Sequence, residues 1–301
     1  MPSTSNEGNI TQRADDAAAK MIQLRKRPLL VLYWPDSYSS IKEEDIKGLY
    51  GEIRRRGWTR DGEKHELDVI IHTYGGDPVA AYRIAQVIRD FADHVVFLVP
   101  EYAYSGGTLT CLSGNEIRLG AYAALSPIDI TLGRSDRGES VQLLNVDYFM
   151  EFVGDCREHI EHVIKKNRFD AESDVDAQLL VEMTKQVGAL NIGLFFRERT
   201  LTGDYAERLL SDYMLVGELN KEHLTEQIIQ KLLFEMPSHN FEMDYHICKE
   251  IGLPVEEMDE QESDMAKELV NILKELTKER VVCRDVEKGY KMPFFRLYLG
   301  A

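Results

Sequence analysis

Two glycine-rich turns constrain this chain more than any other feature. The first reads His72-Thr73-Tyr74-Gly75-Gly76-Asp77, the second Tyr102-Ala103-Tyr104-Ser105-Gly106-Gly107-Thr108. Each follows a short apolar run rich in β-branched residues, 67–71 and 95–99, and each opens a stretch with helical spacing. Strand, turn, helix and strand in that order make a βαβ unit, which requires a parallel sheet. Asp77 stands at the N-cap position with Pro78 at the first helical position, and Ala81, Ile84, Ala85, Ile88 and Phe91 then recur on one face. Turns that follow neighbouring parallel strands share one sheet edge, where their backbone N–H groups can hold an oxyanion.

Around this unit the pattern predicts a short helix over 14–27, a strand over 29–33, a loop over 35–40 and a helix over 41–56. Ile41, Asp45, Leu49 and Glu52 fall near one stripe of that helix. A strand over 116–119 and an extended piece over 124–127 follow. Beyond Gly138 helical periodicity dominates (141–166, 175–199, 203–235), which predicts helices that cover the sheet and build oligomer contacts. Residues 255–264 read as an acidic, solvated loop. Residues 263–279 read as an amphipathic helix with Leu269, Ile272, Leu273 and Leu276 on one face. Residues 1–12 read as a polar, disordered tail, and the aromatic stretch 290–299 as a segment that docks at an unspecified place. There is no internal repeat.

The formal charge of -16, from 36 basic and 52 acidic side chains, repels a polyanion and argues against nucleic acid as a partner. Four cysteines with no Cys-x-x-Cys spacing read as reduced thiols rather than a disulfide frame or zinc cluster. No run approaches the ~18 uncharged apolar residues of a bilayer span, and the polar N-terminus is no secretory signal. The expectation is a cytoplasmic protein with no membrane partner. No Gly-x-Gly-x-x-Gly or P-loop spacing follows a strand, so no cofactor is expected. Glu158-His159 with Glu161-His162 reads as a solvated helix face, and no metal is expected.

Ser105 is the candidate nucleophile. It stands between a buried strand and a helix, where N–H groups without intrahelical partners favour negative charge. Gly106 and Gly107 let a substrate carbonyl come close, and the Gly75-Gly76 turn can supply a second donor. Losing one donor from an oxyanion hole costs about 2.7–4 kcal/mol of barrier. On local physics alone the same serine also reads as a helix N-cap beside a tight turn.

The motifs His72-Thr73-x-Gly75-Gly76, Ala103-x-Ser105-Gly106-Gly107-Thr108-Leu109 and Leu125-x-Pro127-Ile128-Asp129 resemble the Clp/crotonase superfamily. Within it, the chain is most similar to the serine dehydrogenase proteinase family of Clp-fold serine peptidases. Ser238-His239 followed by Gly252-Leu253-Pro254-Val255 resembles that family's C-terminal signature. The resemblance implies an α/β, Clp/crotonase-like spiral of βα units with a helical C-terminal half. It divides the chain into a tail and short helix (1–27), an α/β core (28–134), a helical extension with the signature (135–262) and an amphipathic helix with tail (263–301). It also implies Ser105 as nucleophile, Gly76 and Gly106 as oxyanion donors, peptide or protein substrates, a homo-oligomer and room for an unfoldase partner.

Two departures stand out. Tyr74 replaces the proline common in the family's first turn, which leaves the glycines intact. The histidine that Clp subunits carry shortly before the Pro127 position is absent, because Leu125-Ser126 stands there. Related peptidases take a lysine from a later segment, and a Ser-Lys dyad needs a desolvated amine. Lys165, Lys166 and Lys185 are the choices, with Lys185 favoured by its apolar surroundings, and His239 is the alternative base. The reading is therefore a serine endopeptidase. Its rivals are a non-catalytic Clp-fold scaffold and a crotonase-type acyl-CoA enzyme, which would have no need of Ser105.

Overall fold

The computed structural model describes residues 4–129, 131–134, 139–142, 189–281 and 293–299. In chain order the elements are α1 (Thr4–Arg25), β1 (Leu29–Tyr33), α2 (Glu43–Arg55), β2 (His65–His72), α3 (Pro78–Phe91), β3 (Ala92–Val99), β4 (Tyr102–Ala103), α4 (Gly106–Cys111), β5 (Glu116–Leu119) and β6 (Ala124–Leu125). There follow β7 (Thr131–Arg134), β8 (Glu139–Gln142), α5 (Ala189–Leu209), α6 (Lys221–Gln230), α7 (Tyr245–Glu250), β9 (Val255–Glu257), α8 (Glu260–Val281) and β10 (Phe294–Tyr298). Two π-helical turns, Leu210–Met214 and Lys231–Glu235, extend α5 and α6.

The central sheet runs β10-β1-β2-β3-β5-β9. β10 is antiparallel to β1, and the other neighbours are parallel. The chain is thus mixed α/β around a mostly parallel sheet. Helices cover both faces, which is why β1, β2 and β3 read as nearly continuous apolar runs. Alternate side chains still go opposite ways. Leu30, Leu32, Val69, Ile71 and Phe97 join the larger core beneath α2 and α3. Leu29, Val31, Tyr33, Ile70 and Leu98 pack against α1 and α8. Burying each such side chain contributes roughly 1.5–3 kcal/mol.

Two carboxylates, Asp68 and Glu262, are buried on the second face. Asp68, on β2, takes Arg25 Nε at 2.7 Å and Nη2 at 3.1 Å, while Arg25 Nη1 reaches Glu262 of α8 at 2.6 Å. One guanidinium therefore ties α1, β2 and α8 together with charge-assisted bonds.

Four expectations differ from the structure. The polar segment read as a tail is helical from Thr4 onward, because Ile10, Ala14, Ala17, Ala18 and Met21 give α1 a narrow buried stripe against α8. The acidic stretch after Val255 is not a loop throughout. Val255–Glu257 adds an edge strand to β5, and α8 starts at Glu260. The aromatic segment 290–299 finds its place as β10, paired along the whole of β1 from Leu29↔Tyr298 to Tyr33↔Phe294. The helix read from residue 141 begins instead inside β8, which pairs with β7, and the helices read over 143–166 and 175–188 lie outside the described residues. Among the described residues no helix is long and apolar enough to cross a membrane.

Candidate active site

Both glycine turns leave the C-terminal ends of adjacent strands. The first is fixed to the chain ahead of α2. Ile41 N–H donates to the Gly75 carbonyl at 2.8 Å, and Asp77 N–H donates to the Ile41 carbonyl at 3.0 Å. Asp45, buried on α2, accepts Trp34 Nε1–H at 3.0 Å and Lys42 N–H at 2.9 Å, and so holds that flanking segment from behind. Gly76 has φ +150, and a Cβ there would lie 2.4 Å from the Ile41 backbone N and O, so only glycine fits. Asp77 caps α3 through Val79 N–H at 2.9 Å, with Pro78 next, as the sequence predicts.

The second turn is laced to the first. Thr73 N–H donates to the Tyr102 carbonyl at 3.3 Å and Tyr104 N–H to the Thr73 carbonyl at 3.0 Å. The approach is close enough that a Cβ on Gly106 would sit 3.2 Å from Gly76 N. Among the described residues, neither the Gly76 nor the Gly106 N–H has a hydrogen-bond partner. Two free donors side by side are what a tetrahedral oxyanion requires.

Ser105 precedes α4 with φ 49 and ψ -112, and its side chain makes no cap bond. The helix-cap explanation of this serine therefore fails. A non-glycine residue in such a conformation carries strain of about 1–3 kcal/mol, which the surrounding structure must sustain.

A cleft of about 340 Å³ opens over this point, and Tyr74, Gly76, Ser105, Gly106, Asp129 and His239 are among the residues that line it. His239 Nδ1 lies 2.7 Å from Asp129 Oδ1. Asp129 is buried and the imidazole is largely so. A carboxylate at Nδ1 makes that nitrogen the N–H donor and leaves Nε2 as the basic atom. Asp129 Oδ2 is also buried, without a partner among the described residues.

Long-range ties bring His239 here. The π-helical turn Lys231–Glu235 presents the Leu232 carbonyl to Ile128 N–H at 3.1 Å. Leu125 and Met243 exchange both backbone bonds, at 3.0 and 2.9 Å. Tyr104 Oη donates to Glu242 Oε1 at 2.7 Å. The loop that carries His239 is thus clamped at both ends.

The structure brings together Ser105, Gly76, Gly106 and His239 from the sequence reading. Lys165, Lys166 and Lys185 lie outside the described residues, and among the described residues no lysine lines the cleft. Asp129 had been read only as part of a motif. Its partner is distant in the chain, so no local spacing could have marked it.

Beneath the first turn lies a second polar cluster. His72, fully buried, stacks on Tyr33 with ring centroids 4.9 Å apart and meets the tilted ring of Tyr102 at 4.2 Å. Glu101 Oε2 is 3.3 Å from its Nδ1, but Lys274 Nζ already holds that carboxylate at 2.5 and 2.7 Å. Burial, reinforced by the Lys274 charge, lowers the imidazole to about 3 and keeps it neutral. Burial likewise raises the Tyr33 phenol to about 12.

Comparison with known proteins bears on the family. The family model described as ClpP-like SDH-type serine proteinase matches residues 21–189. Two uncharacterised proteins of Methanocaldococcus jannaschii are similar to the chain. One is 26% identical over 130 residues, 38% of this chain and 46% of that protein. The other is 27% identical over 160 residues, 49% of this chain and 53% of that protein. The chain thus spans about half the length of the curated relatives it matches.

Proposed function

The chain belongs to the ClpP-like, SDH-type serine proteinases, and from that premise we propose that it hydrolyses peptide bonds with Ser105, His239 and Asp129 as its catalytic triad. Ser105 Oγ attacks the substrate carbonyl carbon as His239 Nε2 takes its proton. The carbonyl oxygen becomes an oxyanion and accepts the Gly76 and Gly106 N–H groups. His239 then gives the proton to the leaving amine, and the acyl group stays on Ser105. Water, deprotonated in turn by His239, attacks the ester, and the acid leaves as His239 returns the proton to Ser105 Oγ. Asp129 fixes the tautomer and steadies the imidazolium that forms twice in the cycle.

One observation carries this reading: the Asp129–His239 pair, 2.7 Å apart, lines the same cleft as a strained Ser105 whose hydroxyl caps nothing. The Clp arrangement, with its histidine shortly before Pro127, is replaced by a histidine from a later loop. That favours His239 over Lys185 as the base. The crotonase-type alternative leaves both the serine and the couple without a role.

A fluorophosphonate reacts covalently with an activated serine and tests the proposal directly. The native chain should be labelled at Ser105, Ser105→Ala should not, and His239→Gln should react far more slowly. The pH dependence of the native rate should be lost in His239→Gln. A rise placed well above neutrality, unchanged in His239→Gln, would return the role to a lysine. A folded native chain that takes no label would favour the scaffold reading.

A further inference from the structure

Ser126 is buried, 2% exposed, and is not among the residues that line the cleft. Its surroundings nevertheless point at the nucleophile. Ser105 N–H donates to Ser126 Oγ at 2.7 Å. The Ser126 hydroxyl donates to the Pro127 carbonyl at 3.1 Å, which leaves a lone pair for the Ser105 amide. Ser126 N–H donates to Thr108 Oγ1 at 3.1 Å, and Thr108 Oγ1 donates to the Ala103 carbonyl at 2.8 Å. Every donor in this chain has one acceptor, so its direction is fixed. It links the end of β4, the first turn of α4 and the segment after β6.

The same segment carries Asp129, three residues further on. Its two ends therefore grip the two reacting partners: Ser126 holds the Ser105 backbone, and Asp129 holds the His239 ring. Between them Ile128 N–H is tied to Leu232, and just before them Leu125 is paired with Met243. A piece of chain anchored at both ends in this way can set the height of a hydroxyl relative to an imidazole. A serine with φ 49 needs such an anchor, because nothing in its own conformational preference keeps it there.

We propose that Ser126 is a positioning residue: its side-chain oxygen accepts the Ser105 N–H and holds the nucleophile in its strained conformation, in register with His239 on Asp129. This rests on the serine-nucleophile reading above. It goes beyond that reading by assigning the alignment of the site to a buried hydroxyl that touches no substrate.

The test compares isosteres. Ser126→Thr keeps the hydroxyl, and Ser126→Val has the same shape without it, so the added methyl group cancels between them. Misplacing a reacting group by about 1 Å costs on the order of 100-fold in rate. Ser126→Val should therefore react with fluorophosphonate 10- to 100-fold more slowly than Ser126→Thr. KM for a peptide substrate should be unchanged within about twofold, and the pH midpoint should not move, because the Asp129–His239 couple is untouched. A general loosening of the site would move KM and midpoint together with the rate. Equal rates for the two variants overturn the proposal, and so does a loss confined to KM.

A second measurement does not depend on activity. Hydrogen exchange at the Ser105 amide, read by NMR, should be at least 10-fold faster in Ser126→Ala than in the native chain. Unchanged protection there overturns the proposal. If the native chain takes no label, the peptidase reading fails by itself, while the exchange result still decides whether Ser126 holds Ser105.

Discussion

Acid should weaken this fold through one residue in particular. His72 is fully buried, and among the described residues its ring nitrogens have no hydrogen-bond partner. Tyr33 stacks on the ring, Tyr102 packs against it at a tilt, and the Glu101–Lys274 pair flanks it. Its value is lowered from 6.5 to about 3 by burial and by the Lys274 charge. The unfolded chain therefore binds a proton near pH 6.5 that the folded chain refuses until about pH 3. Stability is intact above about 6.5 and declines as pH falls from there, by about 1.4 kcal/mol per pH unit. Between pH 7.5 and 4.5 this residue should cost about 3 kcal/mol. His72→Phe keeps a ring between the two tyrosines and cannot take up a proton. Urea unfolding followed by circular dichroism at both pH values isolates the effect, because the remaining titratable groups are common to both chains. The variant should lose about 3 kcal/mol less than the native protein over that interval. Parallel pH dependences would show that the imidazole is solvated or paired in the fold, and the reasoning would be refuted.

Two further outcomes follow from the site geometry. Asp129→Asn should lower fluorophosphonate reactivity by about 100- to 10,000-fold, the range that general-base assistance supplies, with the circular dichroism spectrum unchanged. A loss under threefold would remove Asp129 from the mechanism. Gly76→Ala places a Cβ 2.4 Å from the Ile41 backbone at φ +150, so the first turn must shift. Labelling should be abolished and the melting temperature lowered, and native labelling in that variant would show that the turn is not the oxyanion site.

How much of this was legible in the sequence depends on the range of each interaction. β1, β2 and β3 were readable because burial on both faces leaves their apolar runs nearly continuous, and β5 because Ile117 and Leu119 alternate with polar residues. The start of α3 was readable because Asp77 and Pro78 act within one turn of each other. The part of α1 before Ala14 was not, because Ile10 stands there amid polar residues and its packing is defined by α8, far along the chain. β9 was missed for the opposite reason. It is three residues long at the sheet edge, with Glu256 and Glu257 exposed, so composition favoured a loop.

The base shows the same limit most clearly. Read locally, Leu125-Ser126 ahead of Pro127 is a gap where a Clp subunit would carry its histidine, and an apolar helix with Lys185 is an attractive substitute. The proposed mechanism takes its base from elsewhere, by way of the bridge from Leu125 to Met243 and the bond from Ile128 to Leu232. Both belong to segments that sequence spacing cannot relate, and together they deliver His239 to Asp129. The Leu125-Ser126 segment that lacks the histidine has a contact of its own. Its serine accepts the amide of Ser105, so under the proposed mechanism the segment before Pro127 has exchanged proton transfer for alignment and left the base to a later loop. Transplanting a histidine to position 126 should then fail to restore reactivity in His239→Gln, because it removes the acceptor that keeps Ser105 in place. Restoration of labelling in Ser126→His combined with His239→Gln would show that the two layouts are interchangeable, and would contradict that division of labour.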